Sequence, residues 1–278
     1  MEWNKAKNYV IIVLIIINCV FCVFNIVKKH QTRLDNEAIN DGATVLSARG
    51  ITLNCDLPGS FAPMGQLYMR DFEYDYIELQ EMFFDTISGV IRTQDGSDIV
   101  FSKDEATLVV SGSEVSFENE NGGVYSNLEE AAQAVEEYVK KLNNEFSDYS
   151  PRISSETDNG WYFEYRQRFQ GQPVFSNYFK AEVRKNGRLT IKFNWQQPVE
   201  YKGSKEDIIS PVEAIYCAAS LIEQQYGGGA VDGVEKGYYL VERHGEGQLA
   251  AVPWYKIYIN GGSGAYYVNA YSGDVMED

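Results

Sequence analysis

Histidine, cysteine and basic residues are scarce in this chain, and each scarcity removes a class of function. Only two histidines occur among 278 residues, His30 and His244. His244 is flanked by Glu242 and Glu246, but Arg243-His244-Gly245-Glu246-Gly247 reads as a solvated hairpin turn. No other His, Cys and carboxylate set keeps a metal-ligand spacing. Also missing are G-x-S-x-G, H-E-x-x-H and a glycine-rich loop that opens a helix. Gly227-Gly228-Gly229 follows a helical stretch, the wrong geometry for holding phosphate at a helix N-terminus. Carboxylates are plentiful, yet nothing singles out two of them for acid/base work. No residue is therefore assigned a catalytic, metal-binding or cofactor-binding role, and the chain reads as non-enzymatic. The 24 Lys and Arg face 40 Asp and Glu, a formal charge of −16, and such a surface repels nucleic-acid phosphates. Of the four cysteines, Cys19 and Cys22 lie in an apolar run. Cys55 and Cys217 pair only if the fold brings their Cα atoms within about 7 Å; separate buried thiols are the expectation.

What is present is apolar and aromatic. Hydrophobic residues make up 44% of the chain, and its 20 Tyr and 14 Phe favour strands. Residues 9–27 carry no charge and nearly span a hydrocarbon core of about 30 Å as a helix. No small-x-small cleavage site follows; the run ends at Lys28-Lys29, as an uncleaved single-pass anchor would. Lys5 and Lys7 flank one side and Lys28, Lys29 and Arg33 the other, so charge does not choose the orientation. Asn18, Cys22 and Asn25 share one helix face and form a candidate transmembrane contact face, since a mid-membrane amide seeks a partner. The alternative is that Asn25 reaches the headgroups and Asn18 is simply tolerated.

Beyond the apolar run, residues 126–195 and 210–271 look like copies of one unit. Each opens on Ser-x-x-Glu (Ser126 and Glu129; Ser210 and Glu213), continues as an apolar-striped helix and ends in alternating aromatic strands. Gly171-Gln172 and Gly247-Gln248, Lys180 and Lys256, and Val183 and Ile259 keep one common offset. The first helix is expected over 127–146, capped by Ser126 with Lys140 and Lys141 in its last turn, and the second starts at Pro211. Strands are expected at 161–170, 174–185 and 187–195, and again at 237–243, 250–259 and 265–270. The fold class is thus α+β, an N-terminal transmembrane helix followed by repeated helix-plus-antiparallel-sheet units. The expected domains are 1–8 (cytoplasmic), 9–27 (membrane), 28–50 (membrane-proximal helix), 51–124 (a worn copy), 125–200 and 205–278. Neighbouring aromatics in a strand point to opposite faces, so Trp161, Phe163, Tyr178, Trp254 and Tyr266 are candidates for a docking surface if a neighbouring unit does not cover them.

Three stretches carry a family resemblance. Met1-Glu2-Trp3-Asn4-Lys5-Ala6-Lys7 before a single apolar helix resembles the opening of YycI proteins, with Glu2 where the family has Asp. Ala48-Arg49-Gly50-Ile51 through Leu57-Pro58 fits it too, as do Pro253-Trp254-Tyr255-Lys256 and Tyr267-Val268-Asn269-Ala270-Tyr271-Ser272-Gly273-Asp274-Val275. The closing strands are similar to PepSY-type modules. The resemblance implies a non-enzymatic regulator of the WalK/WalR (YycG/YycF) cell-wall two-component system, with a cytoplasmic N-terminus, one membrane helix and an extracytoplasmic domain. It implies as partners the sensor histidine kinase and a YycH-like protein, and it offers no catalytic residues. The rival expectations are a PepSY-like inhibitor or chaperone of a secreted or surface hydrolase, and an acidic-pair glycan hydrolase.

Overall fold

The computed structural model describes residue 7 and residues 10–22, 32–146, 149–243, 248–262 and 264–278. Residues 10–22 are helical with every side chain exposed; the rest of the 9–27 run lies outside the described residues, as do His30 and the turn at His244. Among the described residues no helix is long and apolar enough to cross a membrane. From residue 32 on, the chain forms two compact units. Unit 1 comprises Met1–Met64, Ser204–Glu235 and Tyr255–Asp278, and unit 2 comprises Gly65–Gly203 and Lys236–Trp254. Both are mixed α+β and rich in sheet.

Unit 2 contains α2 (Tyr76–Phe84) and α3 (Leu128–Phe146). Besides β2 (Met64–Asp71), its strands include β3 (Ile91–Asp95), β4 (Asp98–Lys103), β5 (Ala106–Ser111), β6 (Glu114–Asn119), β7 (Tyr149–Thr157), β8 (Gly160–Phe169), β9 (Gln172–Arg184) and β10 (Leu189–Asn194). They pair antiparallel in the order β7-β8-β9-β10-β6-β5-β4-β3. Ala131, Val135, Val139 and Leu142, spaced three or four apart, bury one stripe of α3. With Leu79, Met82, Phe83 and Phe84 of α2 they cover one sheet face, whose inward residues include Phe101, Phe117, Phe163, Phe179, Ile191 and Phe193. Each such side chain contributes about 1.5–3 kcal/mol by leaving water.

Unit 1 contains α1 (Asn36–Ser47), β1 (Ile51–Leu53), α4 (Pro211–Tyr226), β14 (Gly264–Asn269) and β15 (Val275–Glu277). It also takes the start of β12 (Gly229–Arg243) and the end of β13 (Gln248–Ile259). Ala214, Ile215, Ala218, Ala219 and Ile222 of α4 pack on Tyr255, Ile257, Ile259, Tyr266 and Val268. Leu221, next to the buried Ile222, is 39% exposed.

Local signals and structure agree at one helix start and differ by a residue at the other. Ser210 Oγ accepts from the Glu213 N–H, the Glu213 carboxylate accepts from the Ser210 N–H, and Pro211 follows. At α3 the cap is Asn127 rather than Ser126: Asn127 Oδ1 accepts from the Glu130 N–H at 2.9 Å, and Glu130 Oε2 accepts from the Ser126 N–H at 2.9 Å. An Asn with an acid three positions on satisfies the same orphan amides one residue further along. No basic residue lies in the last turn of α3. Lys141 instead donates to the Met82 carbonyl and to Asp85 Oδ1, both at 3.0 Å, tying α3 to the end of α2. Asn127→Ala and Ser210→Ala are each expected to lower stability by about 1 kcal/mol, and Ser126→Ala by only a small part of that. Urea denaturation of the three variants checks the assignment.

Two stretches outside the expected strands are strand as well. β7 lacks a clean apolar alternation and is held by pairing with β8, with an irregularity between Pro151 and Ile153. β11 (Gln196–Glu206) is likewise extended, and its unit 2 part begins at the buried Gln196. The stretch 51–124 is divided between the units: β1 pairs in parallel with β12, whereas β3 to β6 extend the sheet that α3 covers.

Candidate interaction surface

The sheet of unit 2 has one face under two helices, and strand alternation fixes what lies on the other. Trp161, Phe163 and Tyr165 of β8, Phe179, Ala181 and Val183 of β9, and Leu189, Ile191 and Phe193 of β10 point to the helices. The opposite face therefore carries the intervening residues, and pairing register orders them in rows. One row runs Glu164, Lys180, Lys192, Ser116, Val109, Val100 and Thr93 across β8, β9, β10, β6, β5, β4 and β3. A neighbouring row begins Arg166, Tyr178, Asn194, Glu114 and Ser111.

The two ends of this face differ in chemistry. At the β8 end Arg166 and Glu164 form a buried ion pair, Nε to Oε1 at 2.8 Å, with the guanidinium 5.3 Å from the Phe175 ring centre. Asn177, fully buried, donates to Gln167 Oε1 at 2.5 Å and to the Gln196 carbonyl at 2.6 Å, while its Oδ1 accepts from the Gln196 N–H. Such a network holds these strands in one register because every exchange of partners would leave a buried polar group unmet. In the middle Lys180 and Lys192 sit directly opposite, an unfavourable like-charge pair. Lys180 Nζ lies 5.0 Å from the Tyr178 ring centre, which offsets part of that repulsion. The Tyr178 hydroxyl donates to Glu114 Oε2 at 2.6 Å. Toward β3 the face turns to small uncharged Ser116, Val109, Val100 and Thr93. An open face of this kind, with a polar rim and half-buried Tyr and Val, suits contact with another protein better than capture of a small molecule.

The expected docking aromatics are mostly elsewhere. Trp161 and Phe163 are 2% and 0% exposed, in the core beneath α3. Trp254 is buried with its ring 5.7 Å from that of Tyr239, and Tyr266 is in the core under α4, its hydroxyl bonded to Gln225. Of the five only Tyr178 lies on the open face. The correction has a simple cause: in each aromatic pair the residue in phase with the other apolar positions goes inside. The phase of Phe179, Ala181 and Val183 was the signal that would have excluded Trp161 and Phe163 and drawn attention to Tyr162 and Lys192. In the apolar run, Asn18 and Cys22 are four apart on an exposed helix; Asn25 lies outside the described residues.

Other candidates for chemistry are accounted for locally. A groove of about 400 Å³ is lined by Phe83, Phe84, Asp85, Lys103, Asp104 and Tyr138, among others. Burial, with the nearby Asp85 charge, pushes the Tyr138 hydroxyl up to about 12. Lys141 already pairs with Asp85, and Glu105 accepts from Asn121 Nδ2. Cys55 and Cys217 are free thiols as expected but not buried ones: Cys55 is half-buried and Cys217 exposed, and each is raised first by partial desolvation and then by neighbouring carboxylates. Among the described residues no group of three or more His, Cys, Asp or Glu is placed to hold a metal ion.

Fold and surface together define a sheet-rich, mixed α+β protein. The family model of the YycI protein matches residues 30–271, and the chain belongs to the YycI family, a regulatory protein family and not a known enzyme family. A crystal structure of an uncharacterized protein from Eubacterium rectale ATCC 33656 shares the fold at a TM-score of 0.53 and 12% identity, over 81% of this chain and 89% of that one. The Bacillus megaterium YpeB C-terminal domain aligns with a TM-score of 0.39 at 11% identity, over 75% of this chain and 98% of that one. No curated protein matches.

Proposed function

We propose that this chain is a membrane-anchored, non-enzymatic regulator of a cell-wall-controlling two-component sensor kinase of the WalK (YycG) type. Residues 9–27 form the anchor, residues 1–8 stay in the cytoplasm and the folded units lie outside. The chain acts with a YycH-like partner through transmembrane helix contacts, for which Asn18, Cys22 and Asn25 are the candidate face, and through protein contacts on the folded units. Membership of the YycI family supports the regulatory assignment. The observation that carries the anchored reading is the helical, wholly exposed apolar stretch of residues 10–22 directly upstream of the matched region. Such a surface is stable in lipid and not in water. The open sheet face of unit 2, with Tyr178, Lys180 and Lys192, supplies a surface for the extracytoplasmic contact.

Scrambling the order of residues 9–27, with composition kept, is expected to abolish control of the kinase while the folded units melt as before. Reporter output of the kinase regulon in membranes, beside calorimetry of the folded part, checks this. Full control from a soluble form without the anchor would sink the membrane route.

A further inference from the structure

From residue 32 the chain is tied at several points to the folded body of unit 1. Thr32, Arg33 and Leu34 form an antiparallel bridge with Gly59, Ser60 and Phe61: the Leu34 N–H donates to the Gly59 carbonyl at 3.3 Å, and the Phe61 N–H to the Thr32 carbonyl at 3.0 Å. Asp35 then caps α1, its Oδ1 accepting from the Ala38 N–H at 2.8 Å. α1 lies so close to α4 that a Cβ on Gly42 would sit 2.2 Å from Val212 Cγ1, and Leu46 is fully buried. At the end of α1, Arg49 holds Glu223 with two bonds of 2.8 and 2.7 Å, donates to Ser220 Oγ at 3.0 Å and stands 5.6 Å from the Tyr216 ring centre. The Gly50 carbonyl accepts from the Gly229 N–H at 3.0 Å, where a Cβ on Gly228 would come within 2.5 Å of that oxygen. β1 then pairs in parallel with β12, Ile51 to Leu53 against Gly229 to Val231.

We propose that residues 32–53 are a coupling clamp, holding the start of the folded part against the body of unit 1 so that a displacement of that unit reaches the segment that leads to the apolar helix. The proposal rests on the anchored reading above and adds how a contact made on the folded part would reach the membrane. Flexible tethers dissipate such displacements because their ends move independently. Here residues 32–34, Gly42, Arg49 and residues 50–53 are each held against 59–61, α4 or β12, and Gly42 and Gly228 give the backbone approach that a side chain would prevent. A bidentate Arg–carboxylate contact adds orientation to attraction.

The test uses the full chain in membranes. Amide exchange of α1 is expected within about tenfold of that of α4, since both open with unit 1 as one body; α1 exchanging hundreds of times faster would overturn the clamp. Inserting six Gly and Ser residues between positions 31 and 32 leaves both units intact and adds slack only ahead of the clamp. It is expected to reduce kinase control to the level seen without the protein. With Cys55 and Cys217 replaced and Cys19 and Cys22 kept, a Gly42→Cys/Val212→Cys cross-link is expected to leave control unchanged, because it joins what is already in contact. Full control from the insertion variant, when the scrambled helix has lost it, would overturn the coupling and leave the anchored reading standing. Full control from the scrambled helix would remove both.

Discussion

Asp278→Ala is expected to destabilise unit 1 by about 3 kcal/mol, and Lys256→Met by clearly less. Lys256 is 2% exposed, on the β13 face turned away from α4. Its Nζ donates to Asp278 Oδ2 at 2.6 Å and to the Tyr267 hydroxyl at 2.9 Å, with the Tyr258 and Tyr267 ring centres at 5.4 and 4.7 Å. Removing the side-chain carboxylate takes the Asp278 counter-charge away from a buried ammonium, and the cost of its desolvation is then less well offset. Removing the ammonium instead leaves Asp278, whose side chain is 35% exposed and can be hydrated. The order of the two effects, read from urea denaturation at neutral pH, is the informative result. Equal losses would show that the pair, and not the desolvated lysine, sets the cost. The Asp278 N–H also donates to the Ala265 carbonyl, so the alanine variant retains the backbone position from which the side chain acts.

Phe193→Ala is expected to destabilise unit 2 by about 4 kcal/mol. Phe193 is fully buried between the two helices and the sheet, with ring centres at 6.0 Å from Phe83, 5.9 Å from Tyr74 and 6.5 Å from Phe179. Truncation removes the apolar area and also leaves a cavity walled by three rings that belong to α2, to the segment before it and to β9. These walls are held by separate hydrogen bonds, such as the Tyr74 hydroxyl to the Ser113 carbonyl at 2.7 Å, and so cannot all close on the space. Phe193→Leu, which keeps most of the volume, is expected to cost less than half as much. Denaturation monitored on unit 2, together with amide exchange across β10, checks both the magnitude and the location.

Several features were legible without coordinates because they rest on neighbours in the chain. The Ser210, Pro211 and Glu213 helix start depends on four residues and appears as read. The α3 stripe of Ala131, Val135, Val139 and Leu142 depends on helical spacing alone. The strands expected at 161–170, 174–185 and 187–195 follow from alternation, and Gly187 takes the positive φ of 95° where the last two join. The Ser126 cap failed by one residue because Asn127 with Glu130 satisfies the same rule.

The interaction surface shows where local reading ends. Alternation states that Trp161 and Tyr162 point to opposite faces, but it does not state which face two helices will cover. That depends on α2 and α3 meeting the same side of one sheet, a long-range event. Tyr162, Lys180 and Lys192 came to the surface because Phe163, Phe179 and Ile191 went beneath the helices.

The amino-acid sequence by itself determined the apolar uncharged run, the acidic surface, the helix stripes and most strands, each a matter of residues within a few positions of one another. Tertiary structure alone decided that β3 to β6 join β10, that β7 forms at all, that Lys256 is buried against Asp278, and that residues 32–34, Arg49 and residues 50–53 are held against 59–61, α4 and β12. Those outcomes depend on which surfaces separated in the chain find each other. Backbone hydrogen bonds and apolar faces can be satisfied by many partners locally and by few once the whole chain must pack together.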